Sequence, residues 1–280
     1  MKIGVIGAGF VGHAMTCVRP YVEVIMWDIV PEKRTDKFME LEEFVNMVEI
    51  VFVAVPTPMK STGECDLSIV ESVVSSVKQV DNDKPIILRS TVPPGTTERL
   101  GVSFMPEFLT ERNWEQDFRN CNQWILGSHD HQLLRQVKQM YELAYNGGLG
   151  SVRNKQVIMM KPDEAEMVKY VKNCFLAAKV SFFNEMHAIC EKLDVDYDMV
   201  RAAIADDHRI GPSHTQVPGP DGKHGYGGTC FPKDTNALSS LCKSHDIPSP
   251  VLDACIKRNE TIDRPEKDWT LDTGRAVSEE

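Results

Sequence analysis

The sequence predicts an α/β fold: a doubly wound parallel sheet, then a long central helix, then a small helical domain. Three observations carry this expectation. An apolar strand at Lys2–Ile6 runs directly into Gly7-Ala8-Gly9-Phe10-Val11-Gly12 and a short helical stretch, the strand–turn–helix context that gives a GxGxxG pattern structural meaning. Apolar strands then alternate with helical stretches, as in a parallel sheet. The run from about Asp163 to Leu193 holds no internal Gly or Pro, so it reads as one unbroken helix.

In the first element, Gly7 permits a tight turn, Gly9 lets the backbone approach a pyrophosphate, and Gly12 allows close helix packing. Phe10 and Val11 complete this cofactor turn. The next strand, VEVIMWD, ends on Asp28, 21 residues after Gly7. An acidic side chain there hydrogen-bonds the adenosine ribose hydroxyls and repels a 2′-phosphate, which makes the sheet Rossmann-like and the expected cofactor NAD rather than NADP. Lys33 lies near the same ribose or is a solvated surface lysine. The connection from Asp28 to Glu49 has room for one brief helix.

Strands at EIVFVAVPTP and KPIILRSTVPPG follow, separated by a helix over Leu67–Lys78. Both end at the carboxyl edge of the sheet, where ligands bind. Val55, Pro56, Thr57 and Thr91 therefore line the cofactor cleft or simply turn the chain. GVSFMPEFLTE puts Glu107 and Glu111 four residues apart, on one face if the segment is helical. QWILGS and QVIMM read as further strands flanking a helix over His131–Leu143. The first domain is expected to span residues 1–160, followed by the central helix at 161–195.

On that helix Lys169, Asn173 and Asn184 are spaced by 4 and 11 residues, within a narrow stripe at ~100° per residue. The stripe is either a solvated edge or the wall of an active site. A third region, 196–265, holds a Gly-, Pro- and His-rich loop too long to be filler, then helices at 234–246 and 250–263. The loop ends in GYGGTCFPKD. Cys230 there precedes a helix that starts around Pro232 to Asp234, so the helix dipole and Lys233 both favour a thiolate. Joined to an NAD domain, this suggests aldehyde oxidation through a thiohemiacetal and a thioester. Residues 266–280 read as a polar, loosely ordered tail.

Composition narrows the partners. The 280 residues are 42% hydrophobic and 26% charged, with a net charge of −10. Without a Lys/Arg cluster, that balance disfavours nucleic acid and anionic membranes. No apolar run approaches the roughly 20 residues of a membrane span. The eight cysteines lack a CxxC pair, and the chain opens on a strand rather than a signal sequence, so a reducing cytoplasm is expected. No Cys or His spacing suits a metal.

The motifs GAGFVG, AVPTP, STVPPGT, MPEFLTE, EAEMVKYVKNCFLAAKVSFFNE, RIG and GYGGTCFPKD, in this order, resemble the UDP-glucose/GDP-mannose 6-dehydrogenase family from residue 1 to about 262. The resemblance implies oxidation of the C6 alcohol of a nucleotide sugar to a carboxylate with two NAD⁺, UDP-glucose being the leading substrate. It implies Cys230 as nucleophile, Lys169 at the oxyanion, and Asp234 and Thr91 holding the catalytic water. Glu107 becomes the acid/base of thioester hydrolysis, Asn173 a hydrogen-bond partner of the sugar, and Glu111 a residue where cofactor and substrate meet. The implied substrate contacts extend to Phe108, Leu109, Gly225, Tyr226 and Gly227, and the cofactor contacts to Lys233. Arg209 reaches the substrate of a partner subunit, and the central helix forms the seam of a homodimer. The chain departs from the pattern as a short form lacking the C-terminal nucleotide-binding domain, with Met105 where Asn is usual. A single-step hydroxyacid dehydrogenase and a non-catalytic NAD-binding or assembly protein stand as the alternatives.

Overall fold

The computed structural model describes residues 1–148 and 152–279. The chain divides into two compact units, Met1–Thr57 with Leu67–Lys169, and Pro58–Asp66 with Tyr170–Glu280.

The first unit is built on seven strands: β1 (Lys2–Ile6), β2 (Glu23–Trp27), β3 (Ile50–Val53), β4 (Ile86–Leu88), β5 (Ser103–Phe104), β6 (Trp124–Gly127) and β7 (Val157–Met160). Their order across the sheet is β2-β1-β3-β4-β5-β6-β7. The chain leaves β1 on one side to form β2 and returns on the other to form β3, so the strand order reverses at β1. In such sheets the crevice at that reversal is the ligand site. All neighbours are parallel except β5 and β6, which meet at Phe104 and Gly127 in antiparallel sense. The expected doubly wound parallel sheet is thus present as two parallel blocks joined at one antiparallel residue pair, because β6, α6 (His131–Tyr145) and β7 form a crossover unit of their own.

The strands are buried on both faces, as their near-continuous Val and Ile content requires. Ile3, Val5 and Phe52 join one core with Val137 and Tyr141 of α6. Ile6, Val51 and Val53 join the other with Phe44 of α2 (Leu41–Met47) and Val70, Val74 and Val77 of α3 (Ser68–Val80). Each fully buried side chain of this kind contributes about 1.5–3 kcal/mol. The helix after β1 is short: α1 covers Phe10–Ala14 and passes into a 3-10 turn at Met15–Val18.

The central helix α7 runs Pro162–Lys192, and the boundary between the units falls inside it, after Lys169. Its first turns belong to the sheet unit, nine residues beyond the expected domain end at 160. Ala165 packs over Gly127. Glu166 accepts hydrogen bonds from Gly95 N, Thr97 N and Thr97 Oγ1 at 2.6–2.8 Å, which ties α7 to the start of α4 (Thr96–Leu100).

The second unit contains the rest of α7 with α8 (Tyr197–Ala205), α9 (Phe231–Ser244) and α10 (Pro250–Arg258), which continues as one wide turn over Asn259–Asp263. The tail is not loosely ordered. Trp269 and Ala276 are buried, Arg264 pairs with Asp268 and Asp221 at 2.7 Å, and Met59 N donates to Ala276 O at 2.9 Å while Ser278 N donates to Met59 O. The segment 58–66 and the tail supply each other's backbone partners, which neither polar stretch advertises on its own.

Gly12 has the strictest packing in the sheet unit, since an added Cβ would lie 1.9 Å from Gly7 O. Gly12→Ala is expected to destabilise the protein by about 1–3 kcal/mol, read as a lowered midpoint of thermal or urea unfolding.

Candidate functional site

In the glycine turn, Gly7 has φ +97°, and a Cβ there would lie 2.4 Å from Ala54 O. Gly9 differs: its φ is −76° and nothing lies within 4 Å of where its Cβ would be. The chain thus keeps an open, exposed backbone at the one position where a pyrophosphate needs approach. Asp28 follows directly after β2 and folds onto this turn, its Oδ2 accepting from Ala8 N at 2.7 Å and its Oδ1 from Val30 N at 2.9 Å. Open glycine and neighbouring carboxylate together fit a dinucleotide with a free ribose. Phe10 and Val11 are half-buried, Val55 half-buried, Pro56 exposed and Thr57 buried. Thr91 is buried just beyond β4. Lys33 is exposed in a 3-10 turn. The cation engaged beside Asp28 is Arg34, which donates to Asp28 O at 2.8 Å and lies over the Trp27 ring at 4.7 Å. Nothing in the spacing of motifs distinguished it from Lys33.

The segment after β5 is not helical, so Glu107 and Glu111 do not share a face: Glu107 is buried and Glu111 exposed. Pro106 and the following loop turn the carboxylate of Glu107 inward, where Leu109 N donates to its Oε2 at 2.8 Å. Lys169 Nζ donates to both Glu107 Oε1 and Glu107 O at 2.7 Å. It also lies 5.7 Å from the ring of Phe108. Burial works to raise the pKa of Glu107, but the Lys169 ammonium and the Leu109 amide outweigh it and hold the carboxyl below its ordinary range.

The second unit assembles the groups around Cys230. Cys230 is the N-cap of α9, whose first residue, Phe231, comes slightly earlier than the sequence suggests. Its Sγ lies 3.8 Å from Thr229 Oγ1. Asp234, in the first turn of α9, is 1% exposed and accepts from Asn173 Nδ2 at 2.6 Å and from Lys233 Nζ at 2.5 Å. Burial opposes the charge of Lys233, yet Asp234 and the nearby thiols of Cys230 and Cys65 raise its pKa, so it remains a cation. Cys174, which contacts Asp234 O at 3.8 Å, is the contrasting thiol: burial, reinforced by Asp234, pushes its pKa up to about 12.

Lys169, Asn173 and Asn184 are 3%, 5% and 3% exposed, which removes the solvated-edge alternative for their stripe. Asn184 Oδ1 accepts from Gly225 N at 3.0 Å. Asn259, fully buried, clasps Tyr226 through both its N–H and C=O at 2.8 and 2.9 Å. Gly225 has φ +67°, and a Cβ there would strike Asn259 Oδ1 at 2.4 Å. Gly227 lies against the guanidinium of Arg264. Asn259 and Arg264 were missed by sequence reasoning, since a lone Asn and Arg near a polar tail carry no motif. Arg209 is bound by its neighbour Asp207 at 2.5–3.1 Å. It lines an apolar groove of about 930 Å³ with Phe175, Phe182, Val251 and Ile262. Among the described residues no cluster of three or more His, Cys, Asp or Glu could hold a metal, and no helix is long and apolar enough to cross a membrane.

Two family profiles match the chain: the NAD binding domain of the UDP-glucose/GDP-mannose dehydrogenase family over residues 19–145, and the central domain of the same family over 163–261. The chain is 32% identical to a UDP-glucose 6-dehydrogenase of Rickettsia bellii, over 93% of this chain and 67% of that protein. It is 33% identical to one of Pseudomonas aeruginosa, over 92% and 65%. Among solved structures it is similar to a UDP-glucose dehydrogenase from the hyperthermophilic archaeon Pyrobaculum islandicum, with TM-score 0.79 and 29% identity over 93% of this chain and 68% of that one. The chain thus spans about two thirds of the length of these relatives.

Because Gly9 has an ordinary φ and open space, Gly9→Ala is expected to leave stability within about 0.5 kcal/mol while weakening NAD binding at least about tenfold, measured by titration calorimetry. For the buried pair, Lys169→Met leaves an uncompensated carboxylate and should cost about 3–5 kcal/mol. The depressed pKa of Glu107 means that its contribution is complete above the ordinary glutamate value and is lost as the pH falls through the lower, folded value. Glu107→Gln should therefore flatten the acid limb of the stability–pH curve, as followed by urea unfolding.

Proposed function

The chain belongs to the UDP-glucose/GDP-mannose dehydrogenase family, and from that premise we propose that it oxidises the C6 alcohol of a nucleotide sugar to the carboxylate in two steps, UDP-glucose to UDP-glucuronate being the leading case. The observation that carries the reading is the setting of Cys230: a half-buried thiol at the amino end of a 14-residue helix, one turn from a cationic Lys233 and a buried Asp234 pinned by Asn173. Helix dipole and ammonium both favour the thiolate, whereas Cys174 is held protonated by burial.

Gly7–Gly12 and Asp28 would hold NAD, which when bound would supply the hydride acceptor for both oxidations. Cys230 adds to the aldehyde carbon to form a thiohemiacetal, and oxidation of that adduct leaves a thioester. Lys169 steadies the negative oxygen at each stage, and Asn173 orients the sugar. Water, polarised by Asp234 and Thr91, attacks the thioester carbon. Its proton passes to Glu107, the C–S bond breaks, and Cys230 departs as thiolate, so the nucleophile is regenerated. Phe108, Leu109, Gly225, Tyr226 and Gly227 form the walls about the sugar and phosphates, with Glu111 and Lys233 toward the cofactor.

We further propose a homodimer through α7. Val171, Phe175 and Phe182 are exposed on it, and the groove lined by Phe175, Phe182 and Arg209 supports a second copy covering that face. Double replacement of Phe175 and Phe182 by Asp should shift sedimentation from dimer to monomer.

The deciding experiment follows NADH absorbance with a panel of UDP- and GDP-sugars, beside Cys230→Ser. Two NADH per sugar with one panel member, falling to a stalled reaction in the variant, is the expected result. One NADH per substrate and indifference to thiol alkylation would instead mean a single-step hydroxyacid dehydrogenase.

A further inference from the structure

Asn259 and Arg264 take no part in the reaction above, and both belong to the wide turn that ends α10. Arg264 N donates to Asn259 O at 2.8 Å, a step of five residues where an α-helix takes four. Such turns are rare and gather at functional sites. Here the wider step lets three successive residues of the glycine loop each meet a residue of the turn or of its end. Gly225 is boxed in, since a Cβ there would lie 2.4 Å from Asn259 Oδ1, 2.9 Å from Asp263 Cβ and 3.4 Å from Arg264 Cβ. Tyr226 N donates to Asn259 Oδ1 at 2.8 Å, and Asn259 Nδ2 donates to Tyr226 O at 2.9 Å. At Gly227 a Cβ would lie 2.5 Å from the guanidinium carbon of Arg264.

The loop needs such a hold. Gly225, Gly227 and Gly228 fall within four residues, and glycine loses more backbone freedom on ordering than any other residue. Asn259 acts on Tyr226 as an antiparallel strand would, exchanging both hydrogen bonds with one residue. A buried amide satisfied in this way favours a single arrangement. The guanidinium of Arg264 is itself locked, with Nε and Nη2 on Asp268 and Nη1 on Asp221, all at 2.7 Å. From α7, Asn184 Oδ1 accepts from Gly225 N at 3.0 Å. An α-helix continued through this point would turn Asp263 and Arg264 about 100° from where they stand, and Gly227 would lose its cover. Tyr226, 4% exposed, carries the placement on to α9, its ring 6.2 Å from that of Phe231, the residue after Cys230.

We propose that Asn259 and Arg264 are positioning residues for the substrate: from the wide turn they hold the Gly225–Gly227 backbone in the one conformation that walls a nucleotide sugar beside Cys230. The inference rests on the function proposed above, in which that stretch contacts the sugar and phosphates. Neither side chain touches the reacting atoms. Their effect lies in a wall that is already ordered when the substrate arrives, so that binding does not have to order it.

The test uses the full-length protein without NAD, so that nothing turns over, and follows alkylation of Cys230 by iodoacetamide on its own peptide by mass spectrometry. A panel of UDP- and GDP-sugars is added as protecting ligand. One member should slow the alkylation of the native chain. In Asn259→Ala its half-protecting concentration should rise at least about tenfold, while the pH midpoint of alkylation stays native, because the helix dipole and Lys233 favour the thiolate and Asn259 does not. A merely structural role would lower the unfolding midpoint of Asn259→Ala but leave protection, measured well below that midpoint, as in the native chain; that result overturns the proposal. If Asn259→Ala does not fold, Arg264→Lys makes the same comparison, since it keeps a cation for Asp268 and removes the planar group over Gly227. A raised half-protecting concentration supports the role and an unchanged one ends it. Failure of every panel member to protect the native chain is a different outcome, which overturns the functional reading and this role with it.

Discussion

Lys169 and Glu107 meet at 2.7 Å with both side chains out of water, and in the first turn of α9 the carboxylate of Asp234 is buried between Asn173 and Lys233. Each pair is tolerable only because each partner is fixed: a charge removed from water must have its counter-charge or donor at hand, or several kcal/mol are lost. Much of the chain's architecture follows from meeting that condition. Lys169 and Asn173 are four residues apart on α7, and Glu166 ties the first turns of that helix to the loop after β4. The long helix is therefore more than a spacer. Each unit's share of it carries one partner of a buried polar pair, Lys169 in the first and Asn173 in the second.

The sheet was legible in the sequence because its signals are local: apolar strands, a glycine turn with one acid at the right distance, and helices of ordinary period. The same holds for α7, whose length follows from the absence of breakers. What escaped was decided by contacts distant in sequence. The reversal between β5 and β6 depends on where two parallel blocks meet, and a two-residue strand carries too little pattern to announce its direction. Glu111 seemed equivalent to Glu107 by spacing. Pro106 and the irregular loop separate them, leaving one buried and the other exposed.

The candidate site was legible to a similar degree and for a related reason. Cys230, Lys233 and Asp234 sit within one short glycine-rich stretch, where residue types alone suggest chemistry. Asn173 and Lys169 needed the helical period to join them. Asn259 and Arg264, which hold the glycine loop by its backbone and by the space above Gly227, come from the end of an expected helix and the residues just after it, where neither forms part of a motif. Polar residues at the end of a chain segment are normally exposed, and only the structure shows these two buried. The loop's glycines thus have two separate functions: Gly225 supplies a left-handed backbone, and Gly227 yields room to a guanidinium.

The segment 58–66 leaves the sheet unit between β3 and α3 and finds its partners at Ala276, Val277 and Ser278, with Asp66 and Ser278 separated by 212 positions. On a ribosome, the sheet unit can collapse long before those partners are synthesised, since domains form in the order they emerge. The short excursion, which leads directly from Thr57 and carries Cys65, must wait with the Met59 amide short of its partner at Ala276 O. Closing so wide a loop adds little entropy per extra residue but delays the contact. The order of assembly therefore runs from the cofactor turn outward, and the neighbourhood of Lys233 and Cys65 is among the last to take shape. A nascent chain would acquire its dinucleotide pocket before Cys230 has a finished setting.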